Sequence, residues 1–150
     1  MEPKQLLEKI LERIESVKES GGNPQVVLDL DGTLFDNGPR TWCLVAEALE
    51  QGGYTDAREK LNGVSNRMLP YLVTAFLAQA GVEDKAIIES VTKYWFERFF
   101  TDEYQKLDLP LECSVEFVNA LYDAGATLVY LTGRDVPGML VGCTDALRTG

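Results

Sequence analysis

The chain has 150 residues, 45% of them hydrophobic, a formal net charge of −10 at pH 7 and no histidine. This length is enough for one compact domain with a real core. The acidic balance disfavours nucleic acid and anionic membrane surfaces as partners, because both need clustered lysine and arginine. The lack of histidine excludes Ser-His triads and most zinc sites, so acid–base chemistry must use carboxylates, lysine, tyrosine or cysteine.

Three cysteines, Cys43, Cys113 and Cys143, lie far apart in the sequence. Their number is odd, and their spacing fits neither a disulfide framework nor a zinc site, so we expect three reduced and mostly buried thiols. No apolar run is long enough to span a bilayer, and the start of the chain lacks the basic and then apolar pattern of a signal peptide. The sequence therefore predicts a cytoplasmic protein.

Apolar residues in the first part of the chain change from helical to strand spacing. In residues 4–20 the apolar side chains recur at helical spacing opposite a charged face, which predicts an amphipathic helix. This helix lies within an N-terminal segment, residues 1–22. Gly21 and Gly22 are expected to end this helix. Residues 25–30 then form a continuous apolar run, which is typical of a buried parallel strand.

The middle of the chain has a helical pattern without a strand signal. Three apolar stripes follow one another across residues 39–109, the second of them over residues 69–80. A further helix is predicted over 114–123, a second strand over 127–131 and a last helix over 138–148. Apart from the helical insertion, this order is a βαβ unit with a right-handed crossover. We therefore predict an α/β fold.

The residues that suggest chemistry follow the first predicted strand. Asp29 and Asp31 stand two apart, so extended geometry projects both carboxylates to one side while Leu30 points into the core. Ligands bind at this edge in open α/β folds. Gly32 allows a sharp turn whose N–H groups can converge on an anion, and Thr33 adds a hydroxyl. An acidic turn without function is the alternative, but neighbouring carboxylates repel, and a bound cation offsets that cost.

The string DLDGTLFD, residues 29–36, resembles the first motif of the haloacid dehalogenase (HAD) superfamily of phosphatases and phosphotransferases. The resemblance implies that Asp29 is a nucleophile that forms an aspartyl-phosphate and that Asp31 is the general acid and base. It also implies a magnesium ion held by the Asp29 carboxylate and the Asp31 backbone carbonyl. Gly32 and Thr33 are expected to bind the substrate phosphate. Aspartate at position 31 is typical of the phosphatase and mutase branches.

The string VYLTGR, residues 129–134, resembles the second motif of the same family. The resemblance implies that Thr132 hydrogen-bonds the transferring phosphoryl group at the end of the second strand. Gly133 and Arg134 complete the expected phosphate-binding group. Two interpretations of Arg134 stay open, since it can contribute charge to the substrate or pair with Asp135.

The resemblance also implies a domain organisation. Residues 23–37 and 110–150 would form a partial Rossmann-like parallel sheet core, and residues 38–109 an inserted α-helical cap over the active site. The family's third motif, a Lys or Arg, and its fourth, one or two acidic residues, lie on later segments, and the chain has no lysine after Thr132. We therefore expect a C-terminally shortened, incomplete core that self-associates through an unpaired sheet edge.

The function implied by the resemblance is a magnesium-dependent phosphohydrolase that acts on a small phosphorylated metabolite. A phosphomutase or phosphotransferase of the same family is the first alternative, since only the phosphoryl acceptor differs. A non-catalytic HAD-like module, acting in binding or assembly, is the second alternative, because the third and fourth motifs are missing.

Overall fold

The computed structural model describes residues 3–134 and 138–149. The chain divides into two compact units. The first, here the sheet unit, comprises the chain up to Phe35 together with Pro110–Gly133, and the second, here the helical unit, comprises Asp36–Leu109 and the described residues from Arg134 onward. Helices hold 59% and strands 9% of the part of the chain that the structure describes, which confirms a mixed α/β class with a small parallel sheet.

Along the described ranges, four short strands flank a run of helices. The strands are β1 (Gln25–Leu28), β2 (Phe35–Asp36), β3 (Leu109–Pro110) and β4 (Thr127–Tyr130). The helices are α1 (Pro3–Glu19), α2 (Gly38–Gln51), α3 (Thr55–Lys60), α4 (Val73–Gln79), α5 (Lys85–Phe99), α6 (Asp102–Gln105), α7 (Ser114–Asp123) and α8 (Leu140–Thr149), with a 3-10 turn at Leu61–Gly63. Among the described residues, no helix is both long and apolar enough to cross a membrane.

Elements with strong periodicity lie where the sequence predicts them. Helix α7 has its predicted bounds, and α1 agrees with its prediction to within one residue at each end. Gly125, with φ of +90°, follows α7 in the left-handed backbone conformation that ends a helix. Both strands of the predicted βαβ unit are shorter than expected, because β1 ends at Leu28 and β4 ends at Tyr130.

The second predicted stripe is helical over only part of its length, because α4 begins at Val73 and not at residue 69. Pro70 disfavours helical backbone in the residue before it, and Met68 has a φ of +52°. The carboxylate of Asp36, 4% exposed, accepts hydrogen bonds from Arg67 Nε and from the Met68 N–H. These hydrogen bonds hold the segment before α4 in an extended loop. The short strands β2 and β3, which pair with each other, also had no periodic signal.

The sheet unit is built around the parallel pair β1 and β4. Gln25 pairs with Thr127 and Val27 with Val129, so these four residues share one face of the sheet. On that face Val27 is 58% exposed and Val129 38% exposed. Parallel strands are normally covered on both faces, whereas this face, with its two valines, stays open among the described residues.

The helical unit has a core of its own between α2, α4 and α5. Leu44, Leu49, Phe76, Leu77 and Val91 are fully buried in this unit. At one end of the interface, Glu47 Oε2 accepts hydrogen bonds from the hydroxyls of Tyr94 (3.2 Å) and Tyr104 (2.8 Å). Burial and this carboxylate raise the pKa of Tyr104 well above its usual range. Tyr104 thus remains a protonated donor. The hydroxyl contacts of Tyr94 and Tyr104 with Glu47 fix α5 and α6 to α2.

The cysteines are all free thiols. Cys113 is exposed, and Cys43 and Cys143 are half-buried, so the expectation of mostly buried thiols is wrong. Cys113 is exposed because it lies in the turn before α7, where its φ is +62°. Burial, reinforced by the neighbouring Glu47 carboxylate, raises the pKa of the Cys43 thiol. Cys43 is therefore a protonated and unreactive group near neutral pH.

A buried ion network ties three segments of the helical unit together. The Asp108 side chain is fully buried, with Oδ1 3.0 Å from Arg40 Nε and Oδ2 2.8 Å from Arg134 Nη2. Arg40 also donates to the Phe99 backbone carbonyl and stacks over the Phe99 ring, and Arg134 donates to Gln105 Oε1. One carboxylate therefore compensates two guanidinium groups away from water, where an uncompensated charge is very costly.

We expect Asp108→Asn to destabilise the protein by about 3–5 kcal/mol, because the isosteric amide removes the buried carboxylate that contacts both guanidinium groups. Urea unfolding followed by circular dichroism measures the change. Asp56→Asn is the matched control, since Asp56 is exposed in the first turn of α3 and should cost less than about 1 kcal/mol. A loss as small as that of the control would show that the network contributes little to folding.

Candidate active site

The two strands of the sheet unit end side by side. Leu28 pairs with Tyr130, and the Leu131 N–H donates to the Leu28 carbonyl at 2.8 Å. Because the strands are parallel, both chains leave the sheet at the same edge. This edge therefore brings together the segment that starts at Asp29 and the segment that holds Thr132, as the two sequence motifs predict.

The two aspartates after β1 are turned away from the core. Leu30 is fully buried, whereas Asp29 is exposed and Asp31 is half-buried. This alternation continues the side-chain pattern of an extended chain for three residues beyond the end of β1. Asp29 therefore lies exposed and Asp31 partly exposed at the carboxyl end of the strand, while the residue between them anchors the segment.

A tight loop follows the aspartates. The Leu30 carbonyl accepts hydrogen bonds from the N–H groups of Thr33 (3.3 Å), Leu34 (2.9 Å) and Phe35 (2.9 Å). Gly32 has a φ of +74°, which favours glycine over any other residue, and its N–H donates to the Phe35 carbonyl at 2.8 Å. These N–H groups close the loop in this conformation, and phosphate binding by Gly32 and Thr33 stays a prediction.

Thr33 connects the loop back to Asp29. Its hydroxyl donates to Asp29 Oδ2 at 3.0 Å. This bond restricts the rotation of the Asp29 carboxylate and engages one of its two oxygens. No described residue donates a hydrogen bond to the other oxygen, Oδ1. Asp29 thus has one oxygen held by the Thr33 hydroxyl and one without a donor among the described residues.

The second motif divides between the two units. Thr132 is half-buried and Gly133 exposed, and both follow β4 in the sheet unit. Arg134 belongs to the helical unit, where its guanidinium contacts Asp108 and Gln105. Asp135, the partner considered from the sequence, lies outside the described residues. A role of Arg134 toward phosphate stays a prediction, and its contact with Asp108 had no local signal in the sequence.

The donor set at the end of β1 fits magnesium. Asp29 and Asp31 offer two carboxylates, and the Asp31 backbone offers a carbonyl, so all donors are oxygens. Within the described ranges, no group of three or more His, Cys, Asp or Glu side chains could hold a metal ion. Magnesium commonly keeps several waters and takes only one or two carboxylates together with substrate phosphate. The residues therefore fit a magnesium ion whose remaining coordination positions are filled by water and by substrate phosphate.

Asp36, the last residue of the first motif, had no role assigned from the sequence. Its buried carboxylate accepts hydrogen bonds from Arg67 Nε (2.6 Å) and from the Gly38 N–H (2.9 Å). The Asp36–Arg67 contact is also an ion pair in which Arg67 stays half exposed. An acidic residue two positions before the first residue of α2 was the available signal, because such residues often accept backbone N–H groups at a helix start.

Comparison of the chain with protein-family models, with curated proteins and with solved structures finds no match.

Proposed function

We propose that the protein is a magnesium-dependent phosphohydrolase of the HAD type that acts on a small phosphorylated metabolite through an aspartyl-phosphate. In this proposal the sheet unit is a partial Rossmann-like core, and the helices between the two motifs are a cap. The single observation that supports it best is the pair Asp29 and Asp31, which follows a parallel strand with both carboxylates turned away from the core. The three free thiols agree with a cytoplasmic location.

In the first step, an oxygen of Asp29 attacks phosphorus, and the bond from phosphorus to the leaving oxygen breaks. Asp31, initially protonated, gives its proton to that oxygen, so the leaving group departs as a neutral alcohol. The Thr33 hydroxyl, which donates to Asp29 Oδ2, keeps the carboxylate oriented during the attack. Asp29 then carries the phosphoryl group as a mixed anhydride.

In the second step, water replaces Asp29 at phosphorus. The Asp31 carboxylate takes a proton from this water, the new P–O bond forms, and the bond to Asp29 breaks. Inorganic phosphate leaves, and both aspartates return to their starting protonation states. A bound magnesium ion would neutralise the negative charge shared by Asp29 and the phosphate. The Thr132 hydroxyl would hydrogen-bond the phosphate from the neighbouring strand end.

Two alternatives differ from this proposal in separate ways. A phosphomutase or phosphotransferase would use the same first step and pass the phosphoryl group to a second hydroxyl instead of water. A non-catalytic module in binding or assembly is favoured by two observations, the contact of Arg134 with Asp108 and the closed loop in which residues 32–35 use their N–H groups. Phosphate release by the chain separates the catalytic proposals from this last one.

We expect Asp29→Asn to lower phosphate release from p-nitrophenyl phosphate by at least about 10³-fold, because an amide does not attack phosphorus. Asp31→Asn should lower it by about 10²–10⁴-fold, the usual contribution of a general acid, with less effect on magnesium affinity. Asp123→Asn, an exposed aspartate at the end of α7, is the control of equal charge change. Asp29→Asn with more than a tenth of the parent activity would exclude Asp29 as the nucleophile.

We expect phosphate release to require magnesium, and calcium to replace it poorly. Calcium takes more ligands and binds carboxylates through both oxygens, which would occupy the Asp29 oxygen that attacks phosphorus. The measurement is activity after treatment with excess chelator and re-addition of either ion. Undiminished activity in excess chelator, or equal activity with both ions, would contradict the assignment of the metal.

We further propose that the chain self-associates through the outer edge of β4. Thr127 donates its N–H to the Pro24 carbonyl just before β1, and Leu131 donates to Leu28 in β1. The alternate residues Leu128 and Tyr130 therefore direct their N–H groups away from β1. No strand pairs with this outer edge among the described residues, and such edges recruit other strands.

We expect Val129→Lys to weaken self-association at least about tenfold, because a lysine next to an open edge opposes strand pairing. Val141→Lys adds the same charge to another exposed valine, in α8, and should leave association unchanged. Sedimentation equilibrium measures both variants against the parent. A parent chain that stays monomeric at high micromolar concentration would exclude self-association.

A further inference from the structure

An open groove of about 570 Å³ runs between α1 and β1 in the sheet unit. One wall is formed by α1 residues, among them the apolar side chains Ile10, Ile14 and Val17. The other wall is formed by five consecutive residues, 23–27. Successive strand side chains point to opposite faces, so a continuous run of lining residues indicates that the backbone edge of β1 borders the groove.

The hydrogen-bonding pattern shows which backbone groups lie on this edge. Thr127 donates to the Pro24 carbonyl, and Leu131 donates to the Leu28 carbonyl. In a parallel pair, alternate residues face the same neighbour, so Pro24, Val26 and Leu28 face β4. Gln25 and Val27 therefore direct their N–H and C=O groups toward the groove. Within the part of the chain that the structure describes, β4 is the one strand that pairs with β1.

The groove is positively charged in an acidic protein. Lys9 and Arg13 are the charged residues among those that line it, and they lie one turn apart on the exposed side of α1. Within residues 3–134 and 138–149, neither side chain forms an ion pair. The net charge of the whole chain is −10, so this site reverses the sign of the average surface.

We propose that this groove binds an extended acidic segment of a partner protein, which adds a strand to the free edge of β1. The partner's backbone would pair with Gln25 and Val27, and main-chain pairing of this kind provides affinity with little dependence on sequence. Alternate partner side chains would pack on Ile10 and Val17, and acidic residues would meet Lys9 and Arg13.

A second copy of this chain would bind in this groove less strongly than an acidic segment. Symmetric pairing of two β1 edges would bring two pairs of like cations, Lys9 and Arg13 from each copy, toward one another. An acidic segment instead gains attraction from the same two side chains. The positive charge of the groove therefore favours an acidic partner at the edge of β1, whereas we propose self-association at the edge of β4.

The test uses the full chain and a fluorescent eight-residue peptide of alternating valine and glutamate. We expect saturable binding in fluorescence anisotropy at low salt, and weaker binding as salt rises. Lys9→Glu combined with Arg13→Glu should weaken binding at least tenfold. Lys85→Glu combined with Lys93→Glu, on exposed positions of α5, changes the net charge equally and should leave binding unchanged.

Amide hydrogen exchange of the same complex tests the backbone pairing. We expect new protection at Gln25 and Val27 when the peptide is bound, and a reduced affinity for a peptide that is N-methylated at alternate residues. Equal binding of a valine and lysine peptide, equal loss in the α5 variant, or no protection at the two amides would overturn the proposal. Association of the chain with itself that the acidic peptide does not reverse, but that Lys9→Glu with Arg13→Glu alters, would assign the groove to a second copy instead.

Discussion

The carboxylate of Asp108 fixes the arrangement of the helical unit because it is the buried anion between two buried arginines. Arg40 lies on α2, Asp108 directly precedes β3, and Arg134 follows β4 in the chain, so three distant segments meet at one charge. In a medium of low dielectric constant, none of these groups tolerates the loss of its partner. The network therefore restricts these segments to positions in which all three charges stay together.

This network also constrains the chemistry at the end of β4. While Arg134 is paired with Asp108, its positive charge is already compensated and contributes little to an incoming phosphate. In the proposed reaction, the hydroxyls of Thr33 and Thr132 and a bound cation would then carry the stabilisation of phosphate. A cation requirement is thus stricter here than it would be beside a solvent-exposed arginine.

The parts of the fold that could be predicted are those with a local signal. The periodicity of α1 and α7 and the apolar runs of β1 and β4 follow from burial of one face or of a whole segment, which neighbouring residues report. The positions of Asp29 and Asp31 could be predicted for the same reason, since alternation continues past the strand. The loop before α4 could not, because Asp36 holds Arg67 and Met68 from more than 30 residues away in the sequence. The Arg134 contact with Asp108, 26 residues apart, had no local signal either.

The stability of β1 connects the candidate active site with the groove beside it. The strand has four residues and pairs with one described neighbour, and short two-stranded sheets are marginally stable in water. Asp29 follows this strand directly, and its orientation depends on the backbone that Leu28 and Leu30 anchor. A further strand at the free edge would hold Gln25 and Val27 by hydrogen bonds and would reduce the motion of the residues that follow. Because a catalytic carboxylate must be held within a fraction of an ångström of its working position, occupation of the groove would favour the chemistry of Asp29 without touching it.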